Sequence, residues 1–275
     1  HRPARRCQVT STRSGHNNHS IPAPDRLYRA DLVPAYGVCV NGFEHIHAFL
    51  SDEEQFELTA ALRRATALAP LFEPRFRSGL PYRMKVTNAG KVGFVGSQTA
   101  EQFSPHHPVT GKPWPDIPAI ALDISRRLAG DRFYPDNVQI SLYQHPADGD
   151  GIGLEAGAEA GSPLLLIALG DSMIFRLGGQ LRADPLRNYI LRTGDVVILK
   201  DDALRAWHGR EGLQSNSCRL PLLSQGGHIC LALRRTGVLP SLSGRGSMTN
   251  PAETIRKSRI SKNVGRRFAS KPVPA

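Results

Sequence analysis

The side chains able to do chemistry fall in a few short segments. Trp207-His208-Gly209 holds an imidazole that serves either as a hydrogen-bonded turn residue or as a metal ligand. Gly153-Leu154-Glu155-Ala156-Gly157-Ala158-Glu159 offers carboxylates in a glycine-rich stretch. Glu155 there is either a solvated turn residue or an oxygen donor suited to a hard cation. His145 and Asp148 stand three residues apart, in a His-x-x-Asp spacing. His228-Ile229-Cys230-Leu231-Ala232-Leu233-Arg234 is a β-type run. Positions 228 and 234 differ by six, so alternation puts both side chains on one face of that strand. On residue type alone, Arg234 suits a buried ion pair, and Phe94 and Phe103 suit a core. The scattered thiols Cys7, Cys39, Cys218 and Cys230 show no CxxC pairing, which reads as free cysteine in a reducing, cytoplasmic-type compartment.

Regular elements must position these groups. Ser51 followed by Glu54 forms a capping-box pattern that predicts a helix to about Ala67. Ile117, Ala121, Ile124 and Leu128 recur at helical spacing and predict a second helix over 117–129. Residues 70–118 are rich in turn signals, with short apolar stretches such as Val92-Gly93-Phe94-Val95. From Asn137 onward the pattern becomes short β-type runs: Val138–Tyr143, Leu164–Leu169, Ser172–Leu177, Asn188–Leu191, Val196–Leu199 and His228–Leu233. Gly and Asp clusters separate them, which predicts an antiparallel sandwich or barrel.

The formal charge of +11 sits in the tails. Residues 1–30 hold six Arg against Asp25, and residues 241–275 hold eight Lys or Arg against Glu253, so 31–240 is left at −1. Such tails suit phosphate backbones without sequence preference, or act as solubilising disordered segments. No apolar run approaches the roughly eighteen residues that would span a bilayer, and no export signal is readable. The simplest partition is a basic tail at 1–30, one α+β domain at 31–238 and a second basic tail at 239–275, in a monomer.

In order and spacing, the segments from about 80 to 238 resemble the AlkB family of 2-oxoglutarate-dependent nucleic-acid dealkylases. That family runs from an Asn-x-Tyr strand through His-x-Asp, Ser-Leu-Gly, Phe-x-x-Gly-Gly, Gly-Asp-Val-Val and Tyr-His-Gly to a closing Arg-x-Asn-x-x-x-Arg strand. The counterparts here are Ser141-Leu142-Tyr143, Leu169-Gly170-Asp171, Phe175-Arg176-Leu177-Gly178-Gly179, Gly194-Asp195-Val196-Val197, Trp207-His208-Gly209 and His228 to Arg234. Thr87-Asn88-Ala89-Gly90 and His107 to Pro115 look like its substrate lid.

The resemblance implies a double-stranded β-helix (a jelly roll of cupin type) with N-terminal helices and a lid. It implies Fe(II) and 2-oxoglutarate as cofactors, and oxidative dealkylation in repair of nucleic-acid bases. It places an iron ligand at His208, whereas Glu155 stands at a His position and Gly157 at an Asp position. For the co-substrate it implies Tyr143, Ser141, His228, Cys230 and Arg234, with His228 where the family has Arg and Cys230 where it has Asn. For the base it implies Phe94, Phe103, Glu159 and Arg182. Two outcomes stay open at this point: an oxidising enzyme with an impaired iron site, or a pseudoenzyme of the same fold that binds nucleic acid or a protein partner.

Overall fold

The structure is a computed structural model, and it describes residues 40–97, 102–154 and 158–237. Its elements run β1 (Phe43–Ile46), α1 (Asp52–Leu68), β2 (Lys85–Gly90), β3 (Gly93–Phe94), β4 (Phe103–Ser104) and α2 (Ala119–Ala129). There follow β5 (Asn137–Tyr143), β6 (Leu164–Gly170), β7 (Ser172–Leu177), β8 (Arg187–Leu191), β9 (Val196–Leu199), α3 (Asp201–Leu204), β10 (His208–Gln214) and β11 (His228–Arg234). A six-stranded sheet in the order β1-β9-β6-β11-β5-β2 faces a three-stranded sheet, β10-β7-β8, and every pairing is antiparallel. This is the antiparallel sandwich expected from the spacing of the β-type runs, in the jelly-roll form that the resemblance implies.

Alternation explains the layers. On β6, Leu165, Ile167 and Leu169 point to one side, where they meet Leu58 and Leu62 of α1 and Ile124 of α2. Leu164, Leu166 and Ala168 point the other way, toward Phe175, Met173 and Leu191 of the small sheet. A strand buried on both faces carries no polar residue, and Leu164–Gly170 has none. Each fully buried Leu or Ile contributes about 1.5–3 kcal/mol, so this strand anchors both layers. The helix over it begins where the pattern places it: Ser51 Oγ accepts from Glu54 N at 3.2 Å, and Glu54 Oε2 accepts from Ser51 N at 2.9 Å.

The register defines two ends of the barrel. Leu164 pairs with Leu199, and Leu177 pairs with His208, so His208 sits at the end where β6 begins. Gly170 pairs with His228, and His228 with Tyr143, at the opposite end. The chain between β5 and β6 crosses back along β10. Gly153 and His208 exchange backbone hydrogen bonds, each 2.9 Å, and Asp150 N donates to Arg210 O at 3.1 Å. Gly209 is required by this approach, because a Cβ there would lie 1.7 Å from Gly151 O.

Candidate active site

Strand β10 leaves its pairing with β7 carrying two inward side chains, His208 and Arg210, two residues apart and therefore on one face. His208 is buried, and its Nδ1 lies 2.9 Å from Ala206 O. A carbonyl only accepts, so Nδ1 carries the hydrogen and the lone pair falls on Nε2, the form that ligates a metal. His208 lines a cavity of about 310 Å³ together with Arg210, Arg234, Gln139, Asp150 and Phe94.

Arg210 was not singled out by the sequence reading, and it dominates this cavity. Its guanidinium is buried and forms an ion pair with Asp150: Nε donates to Oδ2 at 2.8 Å, and Nη2 donates to the same oxygen. Arg210 N donates to Asp150 Oδ1 at 2.6 Å, so the carboxylate is held from backbone and side chain together. Nη1 donates to Cys230 Sγ, and the guanidinium stands 6.0 Å from the Tyr143 ring centre. Tyr143 OH lies 3.5 Å from Asp150 Oδ2. Burial works against the Arg210 charge, but Asp150, Cys230 and Tyr143 outweigh it and hold the pKa well above the usual value. Burial pushes the Tyr143 hydroxyl and the Cys230 thiol up, so both remain protonated at neutral pH.

His228 sits behind this group. It is fully buried, its Nδ1 donates to Asp171 O at 2.6 Å, and its Nε2 has no hydrogen-bond partner. Burial, with Arg210 nearby, lowers its pKa to about 4, so the ring is neutral. The cation that the resemblance puts on β11 at 228 therefore stands on β10 at 210. Arg234, at the other end of β11, points inward as the spacing predicts. Its Nη2 donates to Gln139 Oε1 at 3.4 Å, and its guanidinium lies 5.7 Å from the Phe103 ring centre. Ser141 accepts from Gln139 Nε2 at 3.0 Å.

One wall of the cavity is aromatic. Phe76 stacks on Tyr82 with 3.6 Å between ring centres, Tyr82 meets Phe94 edge-on at 5.9 Å, and Phe94 meets Phe103 at 6.0 Å. Asn88 holds Phe94 in place through two 3.0 Å bonds, to its N–H and its carbonyl. Two of the residues proposed from sequence for a base lie elsewhere. Glu159 pairs with Arg235 at 2.7 Å, and Arg182 is exposed and lies over the Trp207 ring at 5.2 Å.

Glu155 and Gly157 lie outside the described residues. Among the described residues beside His208, Gly151–Leu154 bring no side-chain metal donor into the cavity. By residue type Glu155 offers an oxygen and Gly157 none, so the positions that the resemblance assigns to the metal, together with His208, fall short of a two-His–one-carboxylate set. Iron therefore does not fit these residues as a full triad. A ligand carboxylate does fit: Arg210 and Tyr143 already receive one, from Asp150.

A barrel of this kind, with a buried carboxylate seat next to an imidazole at its opening, defines the class to which known proteins can be matched. The family model described as "2OG-Fe(II) oxygenase superfamily" matches residues 42–260. The "Alpha-ketoglutarate-dependent dioxygenase AlkB homolog" of Caulobacter vibrioides is 34% identical over 199 residues, covering 71% of this chain and 88% of that protein. AlkB of Escherichia coli is 30% identical over 141 residues, covering 50% of this chain and 65% of that protein. The solved structure of OsALKBH1 superposes with a TM-score of 0.57 at 19% identity, over 70% of this chain and 98% of that one, a likeness of fold. The chain belongs to the 2OG-Fe(II) oxygenase superfamily, among its AlkB-like members. That family uses Fe(II) and 2-oxoglutarate.

Proposed function

We propose that this chain is an AlkB-like dioxygenase directed at alkylated nucleic-acid bases, and that Arg210 replaces the missing arginine at 228 as the anchor for the 2-oxoglutarate carboxylate. The observation that carries this reading is the buried Arg210 guanidinium beside Tyr143 and Cys230, inside the cavity that opens past His208. A buried guanidinium needs an anion; Asp150 fills that place in this structure, and a dicarboxylate displacing it would be held with fork-to-fork geometry. Phe76, Tyr82 and Phe94 offer the flat apolar surface that an extruded base stacks on. His208 and Glu155 are the donors left for iron, which supplies the oxidising chemistry in this family when bound. The basic tails at 1–30 and 239–275 add phosphate affinity to a central domain at 31–238. Cys218 and Cys230 are free thiols, in keeping with a reducing compartment. No helix among the described residues is long and apolar enough to cross a membrane.

A second reading rests on Asp150. Its carboxylate occupies the seat next to Arg210 and Tyr143, and the iron donors are short by at least one side chain, which favours a protein that binds nucleic acid without oxidising it. Calorimetry of the full chain with 2-oxoglutarate under nitrogen, with and without Fe(II), separates the two, alongside formaldehyde release from a methylated oligonucleotide. The enzyme reading expects 2-oxoglutarate binding that tightens in Asp150→Asn and is lost in Arg210→Met, with formaldehyde released. Oligonucleotide binding with no 2-oxoglutarate binding in either the parent chain or Asp150→Asn rejects the enzyme reading.

A further inference from the structure

We infer that His45, His47 and Asp195 form a site for one divalent cation of the zinc, cobalt or nickel type, which clips the edge strand β1 to the turn between β8 and β9. Among the described residues these three form a group of His and carboxylate donors whose ligand atoms all lie within 4.8 Å of one another. The group is separate from the cavity. Asp195 precedes β9 at the end where β8 finishes, whereas His208 sits at the end where β9 finishes, beside Leu199 and Leu164.

Both imidazoles reach one carboxylate oxygen at hydrogen-bond distance, an arrangement that also suits shared metal ligation. His45 Nε2 stands 3.0 Å and His47 Nδ1 3.4 Å from the same oxygen, Asp195 Oδ2. That oxygen also accepts from Arg192 N at 3.0 Å, while Oδ1 accepts from Ala48 N at 2.9 Å. Two imidazole nitrogens thus converge on one oxygen that backbone has already engaged. Around a tetrahedral ion with metal–ligand bonds of about 2.0–2.2 Å, neighbouring donors lie roughly 3.3 Å apart. The observed separations bracket that value, so an ion enters between the donors with small side-chain adjustments.

The backbone is bent to allow it. His45 lies in β1 and His47 in the turn that directly follows it, and both rings face the carboxylate. Ala48 then turns the chain with φ 47°, a left-handed conformation unusual for alanine, and its N–H caps Asp195. Asp195 and His45 are nearly buried, with side-chain exposures of 3% and 9%, whereas His47 at 65% leaves the outer side of the site to water. Two buried inner ligands, one exposed outer ligand and a water complete a four-coordinate set of N₂O₂ type, for which imidazole and carboxylate favour zinc-class ions. The role follows from position. β1 is a four-residue edge strand whose one strand partner among the described residues is β9, and an ion bound to β1 and to residue 195 ties its end down.

The test uses the full chain, stripped with a chelator and titrated with Co(II) and Zn(II), followed by absorbance, calorimetry and thermal midpoint. One equivalent of Co(II) with the intense visible bands of a four-coordinate site is expected, together with a rise in midpoint that grows with metal concentration. His47→Ala, an exposed change that leaves the fold intact, should weaken binding by about 100-fold or more and abolish the midpoint rise, given that even second-shell changes cost about 10–100-fold. His45→Ala should do the same, and His208→Ala should leave both readouts in place. Unchanged cobalt bands in the His45→Ala, His47→Ala double variant, or their loss in His208→Ala, overturns the proposal, as does the absence of any four-coordinate band in the parent chain.

Discussion

Strands β10 and β11 approach each other across the cavity and contribute to it in opposite ways. β11 lies between β5 and β6, paired along nearly its whole length on both edges. Its outward residues Leu231 and Leu233 pack in the core beneath the helices, and its inward residues Cys230 and Ala232 are small. β10 is the edge of the three-stranded sheet and contains Gly209, Gly212 and three charged or imidazole side chains. Its outer edge is covered by residues 149–153, not by another strand of the sheet. The two strands divide the work. The well-packed one sets the shape of the cavity, and the polar one supplies its charge. That charge is tolerated because the crossing segment brings Asp150 to Arg210, and because Gly209 lets the two backbones touch.

If this division holds, the largest effect comes from removing the charge on β10. Arg210→Met preserves length and removes the guanidinium, which leaves the largely covered Asp150 carboxylate without its charged partner. Breaking one side of a buried pair costs roughly 3–5 kcal/mol. A fall in the denaturant midpoint of that order, with unchanged m-value, is expected from chemical unfolding. A loss under about 1 kcal/mol would mean that Asp150 simply turns out to solvent and that β10 does not depend on the crossing segment. His228→Arg, which the resemblance alone presents as a repair, should instead destabilise the chain, since a second guanidinium would be buried beside Arg210.

β11 has its own charge-related signature, carried by a group that stays neutral. The His228 pKa falls to about 4 from 6.5, mainly through burial, with Arg210 adding to the fall and the bond to Asp171 O opposing it. The unfolded chain therefore takes up a proton near pH 6.5, and the folded chain only near pH 4. The contribution is complete above pH 6.5 and is lost as pH falls from 6.5 through 4, at roughly 3 kcal/mol in total. Asp171 and Asp195, both held below the usual carboxylate range despite burial, by hydrogen bonds, add losses only at lower pH. Unfolding free energy measured from pH 7 to 4 should drop by about that amount and flatten in His228→Asn, which retains a donor toward Asp171 O. An unchanged slope in the variant would assign the acid sensitivity elsewhere.

The same contrast governs what could be read before the fold was known. β5, β6, β7, β8, β9 and β11 begin and end within a residue or so of their apolar runs, because each buries at least one face in the sandwich. The α1 capping box is local chemistry and was equally legible. β10 is not: His-Gly-Arg-Glu-Gly has no apolar alternation, so the sequence predicts no strand there. Reading it as a strand would have placed Arg210 beside His208 on the inner face. Asp150 had no local signal, since its partner is 60 residues away. β1 and β2, the two edges of the large sheet, give no strand signal for a related reason, since Glu44-His45 and Thr87-Asn88 place polar residues side by side and break the alternation. Of the residues that the resemblance names, Arg234, Phe94 and His208 line one cavity and Tyr143 stands by Arg210, while Glu159 pairs with Arg235 and Arg182 lies over Trp207.

The smallest effect is expected one residue from the largest. Glu211 follows Arg210 on β10, points to the opposite face, and pairs with Arg176 of β7 at 2.5 Å. Both side chains are more than a third exposed, at 37% and 36%, so water screens the pair and little desolvation has to be overcome. Exposed pairs of this kind contribute about 0–1 kcal/mol, and the contribution shrinks with salt because the ionic atmosphere reaches them. Glu211→Gln should therefore lower stability by less than about 1 kcal/mol in low salt, and by nothing measurable near 1 M NaCl. Arg210→Met should cost nearly as much in high salt as in low, since its pair is shielded by protein. Unfolding the two variants side by side at both salt concentrations tests whether burial, rather than sequence position on a polar strand, sets the worth of a charge in β10. Equal losses in the two variants, or a large salt dependence for Arg210→Met, would show that the crossing segment does not seal the cavity from solvent.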